Sequence, residues 1–299
     1  MTPTDQLAQP RIGFLGPGAM GAGMVSRMQT QGHHINIYAR NAAKVTDLLT
    51  GGATFFQQPV DLVANSDIVL GCLLDTNVIR EIYLGTAGIA YSARPGQIFV
   101  EHATFDPSLA QEIATVLQER GAQFIDAPVS GGPAGAANGT LVAMIGADAT
   151  VITTIAPVLG MYCANLKHAG GVGAGLRLKL INQLLVSVHA VAAAEAAALI
   201  QANGIDPLVA HEALMGGWAA STMLDLQLPK ACAQDFESGG AAIGGLIEVQ
   251  KLVSDFCAQS DIHSNLLGPV KQVFANAVEH GHGDSGLPAL VSQYPSTTK

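Results

Sequence analysis

Charge is scarce in this chain, and what there is leans acidic. Charged residues make up 12% of the 299, with 14 Lys and Arg against 23 Asp and Glu, for a formal net charge of −9. An acidic chain without a basic run is repelled by phosphate backbones and anionic membrane surfaces, so neither nucleic acid nor membrane is expected as a partner. Aromatics are few as well, at 5% with a single tryptophan, Trp218, so the core must be built from Ala, Val, Leu and Ile. The four cysteines, Cys72, Cys163, Cys232 and Cys257, show no C-x-x-C spacing, and no His or carboxylate cluster is spaced like metal ligands. Neither a disulfide framework nor a metal site is expected. The first ten residues are polar and carry no signal-peptide apolar segment, which places the chain in the cytoplasm as an expectation. The Ala-rich run 186–200 is interrupted by His189 and Glu195 and reads as a buried helix rather than a membrane span.

What is present is apolar residue in quantity, 49%, and 34 glycines. Two textures divide the chain. Up to about residue 165, short apolar runs at 11–15, 35–38, 67–72 and 97–100 alternate with helical patterns such as 20–31 and 107–121. Runs at 122–125 and 140–145 extend the series. Strands and helices alternating at this spacing predict βαβ units and a parallel sheet. From residue 171 the strand signals fade. A long apolar helix is expected over 174–202, then helices near 207–215, 241–259, 266–280 and 288–292. The fold class is therefore α/β: a Rossmann-type domain over 1–170 and an all-helical domain over 171–299, joined by the long helix.

The first strand runs into Gly16-Pro17-Gly18-Ala19-Met20-Gly21. In a G-x-G-x-x-G turn the first glycine permits the tight bend, and the second lets backbone approach a pyrophosphate. The third lets the helix pack on the strand, and the helix N-terminus supplies N–H groups and a positive dipole end. A strand before, a helix after and a second strand on schedule give this motif its weight. The second strand ends Ala39-Arg40-Asn41. NAD enzymes usually place an acid there for the ribose 2′-hydroxyl. Here Arg40 stands in that neighbourhood and Lys44 follows, which favours NADP over NAD. Stacking of Arg40 on adenine is the alternative.

Three ordered motifs make the chain resemble the β-hydroxyacid dehydrogenases, the family of 3-hydroxyisobutyrate dehydrogenase and tartronate semialdehyde reductase. They are Gly16 to Gly21; Asp126-Ala127-Pro128-Val129-Ser130-Gly131-Gly132 with Gly135-Ala136 and Gly139-Thr140-Leu141; and Gly173-Ala174-Gly175 leading to Lys179, Asn182 and Gln183. The resemblance implies a substrate-binding signature at Ser130, Gly131 and Gly132 and a catalytic helix carrying Lys179. It also implies that Leu73 and Leu74 lie along the cofactor, that Thr104 lies near the nicotinamide ribose, and that the protein is a dimer or tetramer. The residue types agree. A serine followed by bare glycines can offer a hydroxyl and backbone N–H groups to a carboxylate. A lysine on a mostly apolar helix has a depressed pKa and can exchange a proton near neutrality. Asn182 and Gln183, three and four residues on, share its face.

The chain also departs from the family. Ala103 stands where the family has Ser, and Leu74 where it often has Pro. The family's C-terminal Lys-Asp-Leu is missing from Ile247-Glu248-Val249-Gln250-Lys251, where Lys251 offers a register-shifted substitute. Gly286 stands where Asp is common. His189 reads as a buried or interface histidine, and Trp218 as either a substrate-facing or a core residue. The expected activity is hydride transfer between NADP(H), or NAD, and a small carboxylate-bearing β-hydroxy acid or its semialdehyde, with Lys179 as proton donor and acceptor. Other readings of the same architecture are an imine reductase, which typically lacks the lysine, a short 6-phosphogluconate dehydrogenase relative, and a catalytically silent NADPH-binding module.

Overall fold

A computed structural model describes residues 10–239 and 242–295. The polar stretch 1–9 and Ala241, the first residue of one expected helix, lie outside the described residues. The chain falls into two compact units that meet inside a helix, the first ending at Lys179 and the second beginning at Leu180.

The first unit starts with β1 (Ile12–Leu15), α1 (Ala19–Thr30) and β2 (Ile35–Tyr38). A 3-10 turn then leads to α2 (Thr46–Thr50), β3 (Thr54–Phe56), α3 (Pro59–Ala64), β4 (Ile68–Gly71) and α4 (Thr76–Leu84). β5 (Ile98–Glu101), α5 (Pro107–Glu119) and β6 (Gln123–Asp126) complete the regular alternation. These six strands pair in parallel in the order β3-β2-β1-β4-β5-β6. All their carboxyl ends share one edge, and the order reverses between β1 and β4, where an open α/β sheet forms its ligand crevice. Leu15, Gly71, Glu101 and Asp126 lie in one register row across β1, β4, β5 and β6 at that edge.

Alternate residues feed two apolar clusters, one on each face. Phe14, Met24, Met28, Ile37, Val100 and Ile125 build one; Leu15, Val69, Phe99, Leu109 and Ile113 belong to the other. Coverage on both faces is why the inner strands read as unbroken apolar runs rather than alternating ones.

The sheet continues differently from the parallel expectation. After β6 come β7 (Val129–Ser130), α6 (Gly132–Asn138), β8 (Leu141–Gly146), α7 (Ala149–Leu159) and β9 (Cys163–Gly170). β8 runs antiparallel to both β6 and β7, and β9 is parallel to β8. The β6–β8 link carries β7 and α6, and it brings β8 back antiparallel to β6 at the edge of the sheet.

The second unit is helical. It holds most of α8 (Ala174–Ala202), then α9 (Pro207–Met215), α10 (Thr222–Cys232), α11 (Ile243–Gln259) and α12 (Leu267–Glu279). The short helix expected at 288–292 is a 3-10 helix over Leu287–Gln293. α8 is long and apolar enough to cross a membrane by length and composition alone. Its Ala190 and Ala194 instead pack with Ile243, Phe274 and Leu290, and Ala193 and Ala197 pack with Leu224 and Leu228.

Candidate active site

The turn after β1 has the shape its glycines predicted. Gly16 holds φ +74°, where a side chain would be strained, and a Cβ on it would stand 3.0 Å from the Cys72 carbonyl oxygen. A Cβ on Gly21 would come within 2.6 Å of the Phe14 ring. Gly18 is the opposite case: nothing stands within 4 Å of where its Cβ would be, and it caps α1 with no side-chain hydrogen bond. Pro17 is buried, while Gly18 and Ala19 are exposed and Met20 half-buried. The first-turn N–H groups of α1 therefore face open space over a glycine, a cradle that fits a pyrophosphate.

At the end of β2, Ala39 is half-buried and Arg40 exposed. Among the described residues Arg40 joins no ion pair, which leaves its guanidinium available. The Asn41 side-chain oxygen Oδ1 is engaged locally, accepting from the Ala43 N–H at 2.9 Å.

The loops after β4 and β5 are tied together by a residue the sequence reading passed over. Glu101 is fully buried at the end of β5. One carboxyl oxygen, Oε1, accepts from the Leu73 N–H and from the Ala103 N–H, each at 3.1 Å. The Tyr83 hydroxyl approaches Oε2 at 3.4 Å. Burial pushes the Glu101 carboxyl up to about 7 against those bonds. The signal was present as a lone acid closing an otherwise apolar strand. Leu73 is thus fixed by its backbone, Leu74 is 74% exposed, and Thr104 is half-buried.

Ser130 ends β7 half-buried. Gly131 and Gly132 are exposed at the start of α6, with φ of +132° and +67° and no side chain capping the helix. The serine hydroxyl and the neighbouring N–H groups remain open to a ligand, in a strand-to-helix turn rather than a plain loop.

Lys179 is the chemical outlier. It is only 7% exposed, flanked in sequence by buried Leu180 and preceded by buried Leu176. Among the described residues its amine has no ion-pair partner. Burial lowers its pKa to about 8. Further along α8, Asn182 and Gln183 are half-buried, and the Asn182 amide donates to Gln183 Oε1 at 3.0 Å.

His102 is buried with Nδ1 2.8 Å from the Ala127 carbonyl and Nε2 2.9 Å from the Tyr162 hydroxyl. Burial lowers it to about 4, so it stays neutral and structural. His189 is half-buried. Trp218 is 107% exposed, which removes the core reading for it.

In the second unit Lys251 lies on the exposed side of α11, and its Nζ bonds Glu248 at 2.7 Å, while Gln250 is the buried residue, donating to the Ser187 hydroxyl at 3.3 Å. Gly286 is required by close approach: a Cβ there would stand 2.5 Å from the Glu237 carbonyl oxygen.

Residues 11–171 match the family model described as the NAD binding domain of 6-phosphogluconate dehydrogenase. Residues 173–294 match that described as NAD-binding of NADP-dependent 3-hydroxyisobutyrate dehydrogenase. The chain is 31% identical over 286 residues to a probable 3-hydroxyisobutyrate dehydrogenase-like protein of Arabidopsis thaliana, covering 95% of this chain and 93% of that one. It is 35% identical to an NAD-dependent L-serine dehydrogenase of Pseudomonas aeruginosa over 70% of this chain and 72% of the relative. A solved 3-hydroxyisobutyrate dehydrogenase of Mycobacterium tuberculosis, studied with L-serine, superposes with a TM-score of 0.86 at 25% identity, over 96% of this chain and 99% of that one. This chain belongs to the β-hydroxyacid dehydrogenase family of NAD(P)-dependent oxidoreductases.

Proposed function

We propose that the protein is an NADP(H)-preferring dehydrogenase of a small carboxylate-bearing β-hydroxy acid, or a reductase of the matching semialdehyde, with Lys179 as the proton donor and acceptor. The observation that carries this reading is the buried, unpaired Lys179 amine, whose pKa burial lowers to about 8. A bound nicotinamide accepts or supplies the hydride. The chain's residues handle the rest. The Ser130 hydroxyl and the N–H groups at Gly131 and Gly132 hold the substrate carboxylate. Neutral Lys179 takes the hydroxyl proton during oxidation, and its ammonium form returns a proton to the carbonyl oxygen during reduction. Asn182 and Gln183 contribute amide groups on the same helix face. Burial of Lys179, at 7% exposure, limits the access of bulk water to its amine.

Cofactor preference rests on Arg40 and on the missing acid at the end of β2, since a guanidinium attracts a 2′-phosphate that a carboxylate would repel. The substrate class agrees with L-serine, itself a β-hydroxy acid, in the names of two relatives. Two copies of the chain are proposed to pair through the apolar face of α8.

The test is a turnover screen with both NADPH/NADP+ and NADH/NAD+ across C3 to C5 β-hydroxy acids, L-serine included, and their semialdehydes. NADP-linked turnover of at least one is expected, and Lys179→Ala should lower its kcat by about 10² to 10⁴-fold with cofactor affinity little changed. Near-normal turnover of that variant removes Lys179 from the mechanism. A clear NADH preference overturns the role of Arg40. Turnover of cyclic imines in place of hydroxy acids makes the protein an imine reductase.

A further inference from the structure

Asp126 is a fully buried carboxylate for which hydride chemistry has no direct use. It ends β6, and both of its side-chain oxygens are spent on the start of α8. Oδ1 accepts from the Gly173 N–H at 2.6 Å and Oδ2 from the Leu176 N–H at 2.8 Å. Those two donors are backbone groups that a helix start leaves without partners inside the helix. A negative charge there also meets the positive end of the helix dipole.

The backbone is shaped around this bond pair. Gly173 adopts φ +89°, a conformation that turns its N–H toward the carboxylate at little cost only in glycine. Gly175 lies so close to the sheet that a Cβ would collide with the carbonyl oxygens of Met144 and Asp126. Gly146, opposite Asp126 in the β6–β8 register, leaves room for the carboxylate itself, because a Cβ there would collide with its oxygens. The first turn of α8 is thereby seated on the ends of β6 and β8. Lys179 follows Leu176 by three residues, less than one helical turn, or about 4.5 Å along the axis. A helix that rigid carries any displacement of its first turn straight to the lysine.

We propose that Asp126 is the positioning residue for Lys179, its carboxylate fixing the depth and rotation of α8 so that the amine meets the reacting oxygen. The proposal rests on the reading of Lys179 as proton donor and acceptor. It also gives the Gly-x-Gly ahead of that lysine a physical purpose: Gly173 turns its N–H to the Asp126 carboxylate, and Gly175 lets the helix lie against the backbone of β6 and β8. Asn is a severe substitute here. Its amide offers one acceptor where two N–H groups need one each, and its NH2 would face a donor. A misplacement of about 1 Å at a catalytic group can cost on the order of 10²-fold in rate.

The test is a double-mutant cycle on the full-length protein: parent, Asp126→Asn, Lys179→Ala and the double variant. Each is assayed for kcat with the best-turned-over β-hydroxy acid, and each is titrated with NADPH by nicotinamide fluorescence. Asp126→Asn is expected to lower kcat by about 10- to 100-fold while the NADPH Kd stays within about two-fold, because the Gly16 to Gly21 cradle is built on other strands. In the Lys179→Ala background the same change is expected to add less than about two-fold, since there is no longer an amine to misplace. An additive loss in the double variant overturns the proposal. Near-normal turnover of Lys179→Ala alone overturns the reading of the lysine, and this proposal with it. If Asp126→Asn does not fold, Gly175→Ala pushes the same turn away from the ends of β6 and β8. It should reproduce the kcat loss at unchanged NADPH affinity, and a folded, fully active Gly175→Ala refutes the positioning role.

Discussion

A lysine amine in water is charged throughout the physiological range and is a poor proton acceptor; the environment of Lys179 changes that. Burial lowers it to about 8, close enough to neutrality that both protonation states are populated where the enzyme works. The two directions of the reaction need opposite states. Oxidation needs the free amine, so its kcat/KM should rise with pH and level off above about 8. Reduction needs the ammonium form, so its kcat/KM should fall as pH rises through about 8. The check is a pair of pH profiles from pH 6 to 10 with the same substrate pair. Limbs that run in the same direction, or that stay in place in a Lys179→Ala variant with residual activity, would assign the titration to another group.

At the scale of elements, the register row at the carboxyl edge of the sheet explains how the site is held. Adjacent strands β5 and β6 end in buried acids: Glu101 binds backbone N–H groups of the loops after β4 and β5, and Asp126 those at the start of α8. The two differ in how they use their oxygens. Asp126 uses both as acceptors, whereas Glu101 takes both N–H bonds on Oε1 and leaves Oε2 to the Tyr83 hydroxyl. Glutamine can therefore replace Glu101 with its network intact, its NH2 donating to the Tyr83 oxygen. The Glu101 value in the folded protein, about 7, lies above that of an unfolded chain. Its contribution to stability is thus fully present at low pH and is lost as pH rises through about 7, to a total on the order of 3 kcal/mol. Asp126 acts in the same sense, at about 7. His102, at about 4, acts in the opposite sense, its contribution being lost as pH falls. Only the difference between variant and parent isolates Glu101. The Tm of Glu101→Gln minus that of the parent is expected to rise steadily from pH 5 to pH 7.5; a difference independent of pH would mean that Glu101 ionises normally.

The same edge shows what the sequence could and could not reveal. Gly16, Gly18 and Gly21 and the β1, β2, β4 and β5 runs were legible because strand, turn and helix each demand a residue pattern that no other structure there would produce. α8 and α9 emerged at their full extents for the same reason. Glu101 and Asp126 were not legible as ties, because their partners are backbone N–H groups 28 and 47 residues away, and backbone carries no sequence signal. β9 was missed because most of its residues are exposed, so it has no apolar face to display. α10 carries Pro229 inside it, which argues for a break that the surrounding helix tolerates.

At the scale of the whole molecule, α8 still has an unsatisfied side. Leu178, Leu185 and Leu199 are exposed at intervals of seven residues or a multiple of it, with exposed Ile181 beside them. A seven-residue spacing draws one line along a helix and is the seam two helices present to each other when they pack. Leaving such a line in water forgoes about 1.5 to 3 kcal/mol for each large apolar side chain that a partner would cover. The proposed pairing of two copies uses this face. Light scattering at micromolar concentration should give a mass twice the 30.7 kDa of one chain, or a higher even multiple. The double substitution Leu185→Glu and Leu199→Glu should shift it to a single chain, because two carboxylates per copy would have to be buried without partners. The circular dichroism of the helices is expected to survive, since both side chains are already exposed within one copy. A parent protein that is a monomer at these concentrations, or a double variant that assembles as before, would remove α8 as the pairing face.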